Sequence, residues 1–120
     1  MTENTVDLKN LIIMINENKD IQTNLCLDEG CRFEADDPKP LIKVINYIMN
    51  YLNQTTAQPM EISLDLRDKD YLLSFMAFTD AAELPVWSAQ VDDALKSYNA
   101  QSEIVHESGK YAQVKVTFAR

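Results

Sequence analysis

Asp36-Asp37-Pro38-Lys39-Pro40-Leu41-Ile42-Lys43-Val44-Ile45-Asn46-Tyr47-Ile48-Met49-Asn50-Tyr51-Leu52 is the most strongly patterned stretch of this 120-residue chain. An aspartate pair and a proline open it, and both suit a helix start. Aspartate accepts from a free N-terminal amide, and proline is tolerated in the first turn, where Pro40 also falls. Leu41, Val44, Ile45, Ile48 and Leu52 recur at i, i+3, i+4, i+7 and i+11. That spacing makes one continuous apolar stripe along a helix that must be buried against another layer. The helix runs to about Gln54, and Gln54-Thr55-Thr56-Ala57-Gln58-Pro59 breaks it.

Upstream, Thr5 to Asn18 carries Val6, Leu8, Leu11, Ile12 and Ile15 near helical spacing behind a Thr5 cap. Ile21 to Leu27 and Cys31 to Ala35 read as two short strands of a hairpin turning at Asp28-Glu29-Gly30. Downstream, Ile62, Leu64 and Leu66 alternate with polar residues, as in a half-buried strand. Asp68-Lys69-Asp70 is a polar turn, and the nearly all-apolar run Tyr71 to Phe78 belongs at the centre of the sheet. Asp80 to Pro85 is a loop, Val86 to Ala100 a helix with Ser88 as a candidate cap. Ser102 to Glu107 and Tyr111 to Phe118 form a closing hairpin about Ser108-Gly109. The order is α-ββ-α-ββ-α-ββ in a single domain, residues 1–19 forming an N-terminal helix and 20–120 the core. The fold class that follows is α+β, a two-layer α/β sandwich with helices on one face of a mixed sheet.

Composition is that of a globular protein, with 46% apolar and 25% charged residues. The net charge of −8 repels a phosphate backbone, so nucleic acid is excluded as an expected partner. The run Leu11-Ile12-Ile13-Met14-Ile15 is too short to cross a bilayer, and no leader is visible, so a cytoplasmic protein without membrane attachment is expected. Cys26 and Cys31 are expected as reduced thiols, with a labile cross-strand disulfide as the alternative. With one histidine, His106, far away in sequence, they do not make a metal site.

The element order and its motifs resemble the ATPase domain shared by histidine kinases, gyrase and their relatives (the GHKL superfamily). Asp37-Pro38, Leu41, Val44-Ile45 and Ile48-Met49 are similar to that family's D-P-x-x-L-x-x-V-L-x-N-L-L-x-N-A helix. Tyr71 to Asp80 resembles the strand that ends in its D-x-G-x-G loop, and Ile104 to Phe118 its closing hairpin. The resemblance implies a histidine-kinase-like fold and a bacterial signalling context. It also implies where an ATP site would lie, and there the residues depart from the pattern. The two helix asparagines fall at Tyr47 and Tyr51, while Asn46 and Asn50 lie one position earlier, about 100° around the helix. Asp80 matches the adenine-binding aspartate, but the glycines after it are Ala82 and Leu84. Only Pro85, Val86 and Trp87 separate Leu84 from Ser88, too few for a glycine-rich lid. A phosphate cradle needs glycine for close backbone approach, and the chain has only Gly30 and Gly109, both at expected hairpin turns.

No cofactor or metal is therefore expected, and Asp80 is a weak nucleotide-binding candidate set against a plain turn or loop-capping role. Tyr47, Tyr51 and Trp87 are either fillers of a space no ligand occupies or an aromatic surface for a protein partner. His106 is expected in a strand rather than as a phosphoryl acceptor, and no acyl-transfer arrangement is present. Asp36-Asp37 and Asp92-Asp93 read as a helix cap and a solvated helix face. The N-terminal helix either packs on its own core or pairs with a second copy to form a homodimer. The expected function is a non-catalytic protein-binding module of a signalling pathway on an ATPase-like scaffold. The alternative is a nucleotide-binding or phosphotransfer protein with an atypical site.

Overall fold

The computed structural model describes residues 5–120. Its elements are β1 (Thr5–Asp7), α1 (Leu8–Glu17), β2 (Thr23–Leu27), β3 (Arg32–Glu34), α2 (Lys39–Asn53), β4 (Met60–Leu66), β5 (Asp70–Phe78), α3 (Ala89–Lys96), β6 (Ala100–Glu107) and β7 (Tyr111–Ala119). Five strands form a sheet in the order β2-β4-β5-β7-β6. β2 runs parallel to β4 and every other neighbouring pair is antiparallel, so the sheet is mixed. β5 sits at its centre, as its apolar run requires.

Alternation along the strands sets the layer. Leu73, Phe75 and Ala77 of β5, Val114, Val116 and Phe118 of β7, and Ile62 and Leu64 of β4 are all buried on one face. The α2 stripe Leu41, Ile45, Ile48 and Leu52 closes over them, each side chain contributing about 1.5–3 kcal/mol on burial. α1 and α3 pack against α2.

Three sequence expectations are corrected. The stretch from Thr5 is not helical at its start: Thr5–Asp7 pairs with β3 as a two-stranded ribbon. The cap of α1 is Asp7, whose Oδ1 accepts from Asn10 N at 3.2 Å. A three-residue strand is too short to show a period, and Val6 merely extends the helical one by chance.

The segments around Gly30 do not form a hairpin with each other. Asp28 fastens the end of β2 to β4, its N–H donating to Leu64 O at 2.9 Å and its Oδ2 accepting from Leu66 N at 2.9 Å. Gly30, at φ +92°, then redirects the chain so that β3 meets β1 instead. Cys26 is exposed on β2 and Cys31 buried, both as free thiols. Finally, α3 spans Ala89–Lys96 rather than 86–100. Ser88 does cap it, accepting from Gln90 N at 3.2 Å, because Val86 and Trp87 are drawn onto α2. At the other end Asn99, at φ +53°, turns the chain into β6, a conformation asparagine tolerates.

The start of α2 is held from two directions. Asp37 Oδ1 accepts from Lys39 N at 3.0 Å. The buried Tyr98 Oη accepts from Leu41 N at 3.1 Å and donates to Asp37 O at 2.6 Å. One tyrosine beyond α3 therefore satisfies an orphan amide of α2, and burial pushes its phenol above the ordinary range.

Candidate functional site

The segment between β5 and α3, residues 79–88, lies down on α2. Tyr47 and Tyr51, one helical turn apart, meet Trp87 edge-on, with ring centroids 5.4 Å and 5.0 Å away and interplanar angles of 71° and 89°. Such edge-to-face pairs are the favoured geometry for aromatic rings. Tyr51 Oη donates to Pro85 O at 2.6 Å, while Tyr47 Oη donates to Val86 O at 3.4 Å and accepts from Ser88 N at 3.0 Å. Tyr51 is only 3% exposed, and burial followed by the neighbouring Tyr47 raises its phenol pKa above the ordinary value. The structure thus brings together all three aromatic residues singled out in the sequence and packs them on one another. The side chain left standing in solvent is Val86, 91% exposed. Sequence reasoning passed over it, although an apolar residue between a proline and a tryptophan in a loop was the available signal.

The same segment is fastened on its other side to the β6–β7 turn. Ala81 O accepts from His106 Nε2 at 3.2 Å and from Gly109 N at 3.3 Å, and Ser108 Oγ donates to Ala82 O at 3.4 Å. His106 lies in β6 as expected, and its Nε2 carries the proton for this bond. Thr79 completes the fastening: its Oγ1 donates to Thr55 O at 2.7 Å and accepts from Ala81 N at 3.1 Å, and its N–H donates to Lys110 O at 3.0 Å. The loop-capping role expected of Asp80 therefore falls to Thr79. Asp80 itself is exposed, on the wall of an open polar groove of about 490 Å³ that also holds Thr56, Phe78, Gly109 and Lys110.

Two further grooves flank α2. One, about 310 Å³, runs between α2 and α3, lined by Pro40, Lys43, Val44, Tyr47, Val91 and Ala94 among others. The other, about 440 Å³, lies where α1 meets the start of α2, lined by Leu11, Met14, Pro38 and Ile42 among others. α1 buries Leu8, Ile12 and Ile15 in the chain's own core and leaves Met14 46% exposed beside this second groove. Among the described residues, no group of three or more His, Cys, Asp or Glu side chains is placed to hold a metal ion, and no helix is long and apolar enough to cross a membrane.

Sequence comparison finds no family model and no curated protein that matches. Solved structures do match in fold. The mycobacterial sensor histidine kinase MprB aligns with TM-score 0.76 at 10% identity, over 96% of this chain and 95% of that one. The ATP-binding domain of PrrB from Mycobacterium tuberculosis gives 0.73 at 13%, over 96% and 95%. The Acinetobacter baumannii histidine kinase AdeS gives 0.73 at 9%, over 96% of this chain and 66% of that one, so the chain spans just under two-thirds of AdeS. The mixed five-stranded sheet, the three helices and these alignments together establish that this chain has the histidine-kinase-like ATPase fold.

Proposed function

We propose that the chain is a non-catalytic, protein-binding module of a signalling system, built on the ATPase scaffold without its nucleotide chemistry. The observation that carries this reading is the Tyr47–Tyr51–Trp87 cluster. It occupies the flank of α2 that the resemblance assigns to the nucleotide, and it ties the 79–88 segment down across that flank. The residues present do not fit a magnesium–triphosphate group. Where the pattern asks for a metal-holding asparagine stands a buried Tyr51 whose hydroxyl is committed to Pro85 O. Magnesium needs several oxygen ligands, and a triphosphate needs backbone amides or cations to offset its charge. Among the described residues, the groove beside Asp80 contains a single lysine, Lys110.

The test is calorimetric titration with ADP and with ATP plus Mg²⁺, alongside a thermal shift. The expected result is no heat of binding and an unchanged midpoint at millimolar nucleotide. Binding tighter than about 100 μM would raise the midpoint by mass action and would establish the nucleotide-binding alternative, with Asp80→Asn as the variant that locates it. A second surface supports self-association as an additional role: Met14, Leu11 and Ile42 leave an apolar rim beside α1. Sedimentation equilibrium checks it, since Met14→Asp should dissociate a dimer held through that helix, and a chain monomeric at high concentration rules the dimer out.

A further inference from the structure

We propose that the groove between α2 and α3 receives an amphipathic helix of another protein whose rim carries carboxylates. The proposal rests on the protein-binding reading above and specifies its surface and partner chemistry. The groove floor is apolar, with Pro40 and Val44 on one side and Val91 and Ala94 on the other. At one end stand Tyr47 and Ser88. Just beyond that end, outside the lining, Val86 accepts from Tyr47 Oη through its carbonyl and leaves its side chain 91% exposed, within reach of a ligand that overhangs the groove. Two helices form the walls, so no free strand edge is available to add an extended peptide. A ligand here must satisfy its own backbone, which a helix does. α3 has eight residues, roughly 12 Å of helix, a length two to three turns of a ligand helix would match.

Charge selects the rim. In a chain of net charge −8, the groove is lined, among the described residues, by one cation, Lys43, and by no carboxylate. α2 carries Lys39 and Lys43 and neither Asp nor Glu in its fifteen residues. Neither carboxylate of α3 lines the groove: Asp92 accepts from Ser102 Oγ and Asp93 pairs with Lys96 at 3.5 Å. The field of distant carboxylates is screened beyond about 8 Å at physiological salt, so Lys43, the cation in the lining, weighs on the rim more than they do.

The experiment is selection from a displayed library of helical peptides with a fixed apolar stripe and randomised rim positions. Wild-type chain is compared with Lys43→Glu and Val86→Asp, both exposed positions where circular dichroism should show an unchanged fold. Trp87, the single tryptophan, reports docking by its fluorescence. The expected result is enrichment of Asp and Glu at the rim, with binding weakened about five- to tenfold by Lys43→Glu and more than tenfold by Val86→Asp. Lys43→Glu should also enrich basic rims in its own selection. Recovery of no binder, enrichment of Lys and Arg on the wild type, or binders indifferent to both variants would each overturn the proposal. So would a concentration-dependent dimer abolished by Val86→Asp, which would make a second copy the occupant. Binders that ignore both variants would leave the protein-binding reading standing, whereas nucleotide binding in the calorimeter bears on that reading and not on the groove.

Discussion

Trp87→Ala should cost far more than a loop substitution ordinarily does. The indole makes two edge-to-face contacts, at 5.0 Å with Tyr51 and 5.4 Å with Tyr47, each worth about 0.5–1.5 kcal/mol beyond burial. Removing a fully buried tryptophan costs about 3–5 kcal/mol. Trp87 is half-buried, so a loss of about 2–3 kcal/mol is expected, the two ring contacts supplying most of it. For a domain of this size, each kcal/mol lowers the midpoint by about 3–5 °C, giving a fall of roughly 6–15 °C. Thermal and urea unfolding followed by circular dichroism measure it without needing the lost fluorophore. Trp87→Phe, which keeps a ring between the tyrosines, should recover more than half the loss. An exposed loop residue changes stability by within about 0.5 kcal/mol. A midpoint shift below about 2 °C for Trp87→Ala would therefore mean that the aromatic cluster does not hold the 79–88 segment on α2 and that the reasoning fails.

Tyr51 and Tyr98 have phenol pKa values raised above 10.0, chiefly by burial, so the neutral forms are favoured in the folded chain. Their contribution is complete below the unfolded value and is lost as pH rises through the folded one, so the urea midpoint should fall above about pH 10. Tyr51→Phe should flatten that decline, and an unchanged alkaline limb would contradict the assignment. Tyr98→Phe removes the hydrogen bonds to Leu41 N and Asp37 O and should cost about 1–3 kcal/mol in urea unfolding, with faster amide exchange in the first turn of α2. Exposed Cys26 should react with a thiol reagent at once. Buried Cys31, whose pKa is raised by burial and then by Asp28, should react only on unfolding, so two simultaneous fast thiols would refute the packing.

Reading the sequence succeeds best where one face of a long element is apolar. The stripe of α2 and the alternation of β4, β5 and β7 disclose their types and their buried faces directly. It fails where pairing is decided by contacts distant in the chain. Nothing local distinguishes a β2–β3 hairpin from two strands with separate partners. The choice is made by Asp28 bonding to Leu64 and Leu66, and by Gly30 turning away. The candidate site divides in the same way. Tyr47, Tyr51 and Trp87 were legible as a group because two lie one helical turn apart and the third sits where the lid would be. Thr79 was not, since a hydroxyl's partner depends on where 79–88 comes to rest.

β7 occupies an interior place in the sheet, between β5 and β6, although it is the last strand in sequence. β5 therefore has no complete set of neighbours until the chain has been synthesised through Ala119, and Asp70–Phe78 pairs with residues some forty positions later. Contacts of that separation form slowly, after a large loop has closed. During synthesis the apolar run Tyr71–Phe78 must wait with one edge uncovered, in the condition that invites aggregation. Slowing translation upstream would give this chain no head start in folding, and its yield should depend instead on chaperones that shield β5 until β7 emerges.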